Sequence, residues 1–185
     1  MAVATDEPHV VTPRVDPGVP VFALGRYAGP RRQAIVALKE HGRTDLVAPL
    51  AQALALGIDH LLGWGLLDVP LTIVPAPTRR RAARRRGGDP ITRVATVAVA
   101  AHPGIGVVQA LRMKALVRDS VGLSTAARER NVAGRVLMNS KRLEMNRDVL
   151  VVDDIVTTGA TVRESVRVLQ TAGVRVTGVL AVAAA

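Results

Sequence analysis

Cysteine is absent from this 185-residue chain, which removes disulfides, thiolate metal sites and cysteine nucleophiles together. Aromatic residues are almost absent as well. Phe22, Tyr27 and Trp64 are the complete set, too few for a platform on which single-stranded bases stack. Lysine is scarce, with Lys39, Lys114 and Lys141 the only three, so arginine carries most of the formal charge of +10. Guanidinium forks grip phosphates, so this balance suits phosphorylated ligands or nucleic acid, and charge alone does not choose between them. The four histidines, His9, His41, His60 and His102, lie far apart without ligand spacing and read as surface or loop residues. No apolar run approaches the length of a membrane-spanning helix, and the acidic start Asp6-Glu7 does not suit a secretory signal. A cytoplasmic location is the default expectation.

What is present is apolar and organised. With 49% hydrophobic and 22% charged residues, the chain suits one globular domain with an appended element. Its most informative stretch begins with Val149, Leu150, Val151 and Val152, an unbroken apolar run of the kind found in strands covered on both faces. Asp153 and Asp154 follow where that strand is expected to surface. Then come Thr157, Thr158, Gly159, Ala160 and Thr161, and after them a helical pattern with Val162, Val166 and Leu169 on one side. Gly173 supplies a left-handed stop.

A strand, turn and helix in that order aim the turn's amides and the positive helix end at one spot, which is an anion site. Gly159 permits close backbone approach, and Thr157, Thr158 and Thr161 offer hydroxyls. Two neighbouring carboxylates repel each other when empty, and a sugar diol or a magnesium ion relieves that. A ligand with a phosphate at one end and hydroxyls at the other fits the set. A Walker-type loop is excluded by the missing Gly-Lys-Ser/Thr, and the bland alternative is a solvated Asp pair in an ordinary turn.

This string resembles the phosphoribosyl-pyrophosphate (PRPP) motif of the type I phosphoribosyltransferases: an apolar strand, two acids, then T-T-G-x-T. The resemblance implies that Asp153 and Asp154 hold the ribose hydroxyls, catalytically and near Mg2+, while Thr157, Thr158, Gly159, Ala160 and Thr161 hold the 5′-phosphate. It also implies a pyrophosphate loop after an earlier strand. Here the buried strand over residues 71–74 stops at Pro75-Ala76-Pro77 and leads into Thr78, Arg79, Arg80 and Arg81, followed by Arg84, Arg85 and Arg86. So many guanidiniums repel one another without an anionic partner; a solvated basic loop or a nonspecific nucleic-acid patch is the alternative.

Along the rest of the chain, residues 1–20 lack periodicity and read as a flexible tail. Phe22, Leu24 and Tyr27 suggest a short edge strand. Helices are expected over residues 31–40 and 45–55, giving an N-terminal helical subdomain over 21–68 ahead of an α/β domain over 69–185. Asp89 and Pro90 read as the cap and first position of a helix reaching Ala101. Strands are expected over 107–111, 132–138 and 174–182, with a charged loop over 112–119 that continues to about Ser124 as a candidate lid, and a short helix from Ser124. The fold class expected is α/β, a mostly parallel sheet with helices on both faces, with its ligand at the strands' carboxyl ends.

Flanking pieces look like the ComF family of competence-associated phosphoribosyltransferase-fold proteins. They are Tyr27-Ala28-Gly29, Leu38-Lys39-Glu40-His41-Gly42-Arg43, Val74-Pro75-Ala76-Pro77, Arg86-Gly87-Gly88-Asp89, and Gly122-Leu123-Ser124 with Arg128 and Arg130 to Gly134. The four-cysteine module of many relatives is missing. Two readings are open. In one, the chain transfers the phosphoribosyl group from PRPP to an unidentified acceptor. In the other, it is an accessory or regulatory module for DNA uptake, with single-stranded DNA or a DNA-processing protein as partner. A homodimer is compatible with both.

Overall fold

Strand β7 (Asp148–Val156) lies inside a six-stranded sheet of order β1 (His9–Val10), β2 (Val21–Ala23), β8 (Val176–Ala184), β7, β3 (Leu71–Pro75), β4 (Ile105–Val107). The computed structural model describes residues 7–78, 88–114, 134–139, 143–144 and 147–185. Arg79, Arg80, Arg81 and the other arginines of that segment lie outside these residues, as do most of the charged loop and the short helix expected after Ser124. Every pairing from β2 to β4 is parallel, and only β1 runs antiparallel, against β2. A separate hairpin joins β5 (Leu111–Met113) to β6 (Val136–Met138).

Leu150 and Val152 of β7 face one apolar cluster, and Val149 and Val151 face the other. That alternation between two covered faces explains the unbroken apolar run. Helices α1 (Gly29–Glu40), α2 (Val47–Gly63) and α3 (Pro90–Ala98) cover the first face, contributing Ile35, Leu54 and Val94. Helix α4 (Ala160–Thr171) and the hairpin cover the second, through Val162, Val166, Leu169, Leu111 and Val136. The expected mixed α/β layering with a mostly parallel sheet is therefore observed. Helices α1 and α2 share one core with the sheet, as one of its covering layers.

Several local expectations are corrected. Residues from Pro8 onward are not a loose tail: β1 pairs with β2, and the Val11 amide donates to the Val21 carbonyl at 2.9 Å. Strand β2 is consequently not at the edge, since β1 covers it. Helix α2 runs eight residues beyond the expected end at Ala55, to Gly63. With the preceding turn it makes a stretch, Thr44–Gly63, long and apolar enough by length and composition to cross a bilayer, contrary to the sequence reading. Half of that window is buried in the fold, and Leu50, Leu54, Ile58 and Leu61 face the sheet layer, as in the core helix of an α/β protein. The strand expected over 107–111 is two: β4 ends at Val107 in the main sheet, and β5 starts at Leu111 in the hairpin.

Helix α3 starts as its sequence indicates. Pro90 occupies its first turn, and the Asp89 carboxylate accepts from the Thr92 amide at 3.3 Å and the Thr92 hydroxyl at 2.7 Å. Desolvation raises the Asp89 pKa above the ordinary carboxylate value, partly offset by hydrogen bonds from Thr92 and Thr78. Asp89→Ala is expected to lose about 1 kcal/mol of stability as a helix cap is removed. Asp89→Asn keeps an accepting oxygen without the desolvated charge and is expected to stay within about 0.5 kcal/mol of wild type, a surface-like effect. Paired urea melts check the difference.

Candidate functional site: the mouth of strand β7

Strand β7 does not end at its acids. Asp153 stands opposite Ala181 and Val156 opposite Ala184 in the parallel register with β8, so the carboxylates belong to the strand's last turns of pleat. After Val156 the chain bends, and Gly159 takes a left-handed conformation (φ +86°) as the residue before α4. Asp153, Ile155 and residues 156–162 line a hollow of about 30 Å³, which exceeds the ~10–15 Å³ that one water needs. The first-turn amides of α4 lack helical acceptors by construction and stand at this hollow, where the helix dipole favours an anion. The Thr158 hydroxyl sits 3.4 Å from the Ala160 amide.

The N-terminal segment reaches this turn. Val15 donates its amide to the Thr158 carbonyl at 2.8 Å. A Cβ on Gly159 would lie 2.5 Å from the Val15 carbonyl oxygen and 2.7 Å from the Pro13 Cβ. The segment around Pro13 thus acts as a strap lying on the turn, and only glycine fits beneath it.

The two acids have different surroundings. Asp153 borders the turn's hollow, and its carboxylate accepts from the Asp154 amide at 2.8 Å. Its surface is half-buried. Desolvation raises its pKa well above the ordinary carboxylate value, the Asp154 charge adds to this, and Lys39 works against it. Asp154 instead borders a narrow hollow with Ile35, Leu38, Lys39, Pro90 and Ile91. Its carboxylate is 2.7 Å from the Lys39 ammonium, with 14% and 26% of the two side chains exposed.

A larger hollow of about 300 Å³ opens at the end of β3, at the low end of the range for small-ligand pockets. Thr78, Asp89, Thr92, Gln109, Arg112 and Asn139 are among its lining. The Thr78 hydroxyl donates to Asp89 at 3.1 Å, and Gln109 donates to the Thr92 hydroxyl at 2.8 Å. The hairpin that bounds this hollow is tied to α4, since Glu164 accepts from the Gly134 amide at 2.8 Å. The Arg167 guanidinium, through its hydrogen bonds, holds Glu164 below the usual carboxylate range.

Of the expected site residues, Asp153, Thr157, Thr158, Gly159, Ala160 and Thr161 share one hollow. Asp154 opens onto its neighbour, and Thr78 lies in the larger hollow. Lys39, Thr92, Gln109 and Asn139 were not legible as site residues, because each joins only through long-range folding. The described donor set does not by itself make a metal site held by protein groups alone. Among the described residues no group of three or more acidic or histidine side chains is arranged to hold a metal ion, and the Asp154 carboxylate already faces an ammonium.

The fold and the turn together define an α/β protein with a small hollow at the carboxyl end of a central parallel strand. No protein-family model matches the chain, and no curated protein matches it. Among solved structures it is similar to a hypoxanthine phosphoribosyltransferase from Staphylococcus aureus, at 20% identity and a TM-score of 0.37, over 73% of this chain. The chain spans 61% of that one. A likeness that distant leaves the site to be argued from its own residues.

Proposed function

We propose that the protein binds PRPP and transfers its phosphoribosyl group to an acceptor, releasing pyrophosphate. The observation that supports this best is the hollow in which Asp153 and the 157–161 turn meet at the start of α4. The turn's amides and threonine hydroxyls would take the 5′-phosphate. Asp153, which borders the same hollow, would orient the ribose through its hydroxyls. The larger hollow, with Thr78 and Arg112 on its rim, would receive the pyrophosphate end.

In the transfer, the bond from the anomeric carbon to the pyrophosphate oxygen breaks and its electron pair leaves with pyrophosphate. A bond from the acceptor nucleophile forms at that carbon, and the acceptor's proton passes to solvent water. Positioning the anomeric carbon and stabilising the departing charge supply the acceleration.

Calorimetric titration of PRPP into the protein, with and without added magnesium, tests binding; saturable one-site binding is expected, and no heat in either condition would sink the reading. Pyrophosphate release is then followed over a panel of nucleobases and amines. Release with any acceptor identifies a transferase. Binding without release, beside salt-sensitive DNA binding, would favour the accessory module instead.

A further inference from the structure

The acid pair at the mouth of β7 comes with its own cation. Helix α1 buries Ala34, Ile35 and Leu38 against the sheet, which places the next residue, Lys39, at the border of that buried face. Its aliphatic stem shares a hollow with Ile35, Leu38, Ile91 and Val94, and its ammonium meets Asp154 at 2.7 Å. Lysine heads are strongly hydrated, so bringing one this far in is unfavourable unless a carboxylate compensates it. The converse also holds. Asp89, Asp153 and Asp154 repel one another across the site, and among the described residues Lys39 is a cation that attracts both members of the pair.

We infer that Lys39 is a positioning residue that does, from within the protein, the charge-neutralising work a divalent cation would otherwise do at Asp153 and Asp154. It fixes the Asp154 carboxylate toward α1 and lowers the site's demand for a metal. Asp153, at the turn's hollow, is thereby left as the acid that meets a neutral diol, while Asp154 is held at the separate hollow beside α1. This inference rests on the PRPP reading for its ligand, but its electrostatic core does not.

The test has two arms, run on wild type, Lys39→Met, Lys39→Arg and the double variant Lys39→Met/Asp154→Asn. In the first, Mn2+ alone is titrated and free ion is followed by electron paramagnetic resonance. Lys39→Met is expected to bind Mn2+ at least about tenfold more tightly than wild type, the factor that about 1.4 kcal/mol represents. Lys39→Arg and the double variant should show no gain. Equal Mn2+ affinity in wild type and Lys39→Met overturns the inference, and so does a gain that survives Asp154→Asn.

In the second arm, PRPP affinity is measured in chelator and in magnesium. Lys39→Met should bind at least about tenfold more weakly than wild type in chelator and recover in magnesium, whereas Lys39→Arg should behave as wild type. Loss of PRPP binding by Lys39→Met that magnesium does not restore counts against the inference. Failure of every variant, wild type included, to bind PRPP removes the phosphoribosyl reading and leaves the Mn2+ arm to decide on Lys39.

Discussion

Gly159→Val is expected to lower stability by about 3 kcal/mol and to release the strap from the turn. The backbone there sits at φ +86°, where a non-glycine residue costs roughly 1–2 kcal/mol and a β-branched one is a genuine outlier. Any Cβ would also press within 2.5 Å of the Val15 carbonyl oxygen, a backbone atom that moves only if the strap moves. Displacing it forfeits the hydrogen bond from the Val15 amide to Thr158, worth about 1 kcal/mol net. For a chain of this size each kcal/mol corresponds to about 2–4 °C in Tm, so a fall of about 6–12 °C should appear in a thermal melt. Gly18 is the control, because it too has positive φ (+76°) but open space where its Cβ would go. Gly18→Ala should show only the conformational part, about 1 kcal/mol. Equal melts for the two variants would remove the strap from the account. Hydrogen exchange at the Val15 amide, slow in wild type and fast in Gly159→Val, reports the release itself.

The strap also shows where sequence reasoning stops. The central strand, its turn and α4 were legible because each rests on local signals: an apolar run, a glycine before a helical period, Gly173 after it. Asp89 and Pro90 announced α3 by the same local chemistry. Residues 7–15 carry no such signal, since a two-residue strand has no period and its order comes from pairing with β2 and resting on Gly159. Strand β7 runs past its acids because polar residues mark strand ends only where partners also end. Here β8 continues to Ala184 beside it, so Asp153 and Asp154 are carried inside the sheet. The apolar run from Val107 onward conceals a break because each half pairs elsewhere, β4 with β3 and β5 with β6. Lys39 belongs to a ComF-like piece of sequence that assigns it no partner, and its meeting with Asp154 exists only after α1 packs across the sheet. The turn half of the candidate site was therefore readable in advance, whereas the cation beside the acids and the polar lining of the larger hollow were not.

Asp153→Asn is expected to separate stability from function in opposite directions. Burial and the nearby Asp154 charge raise the Asp153 pKa well above its ordinary value. The native state therefore holds a proton that the unfolded chain has already lost, over the window from about pH 4, the ordinary aspartate value, up to the raised native pKa. Wherever the native state binds more protons, stability falls as pH rises. The wild-type protein should therefore lose this contribution on going from pH 4 to pH 7.5. The asparagine variant never ionises, and its Oδ1 can still accept from the Asp154 amide. It should match wild type near pH 4 and be the more stable protein at pH 7.5, as urea melts at the two pH values would show. Ligand binding should move the other way. A ribose hydroxyl bonded to a charged acceptor is worth about 1.5–3 kcal/mol, so the variant should bind PRPP about 10–100-fold more weakly. A variant destabilised at pH 7.5 would mean that Asp153 is held in the fold for its structural bonds. One that is stabilised but binds PRPP unchanged would mean that the ribose does not meet this carboxylate. A residue whose charge is a liability to the fold and an asset to the ligand is one placed for chemistry, and both signs must appear together for Asp153 to be that residue.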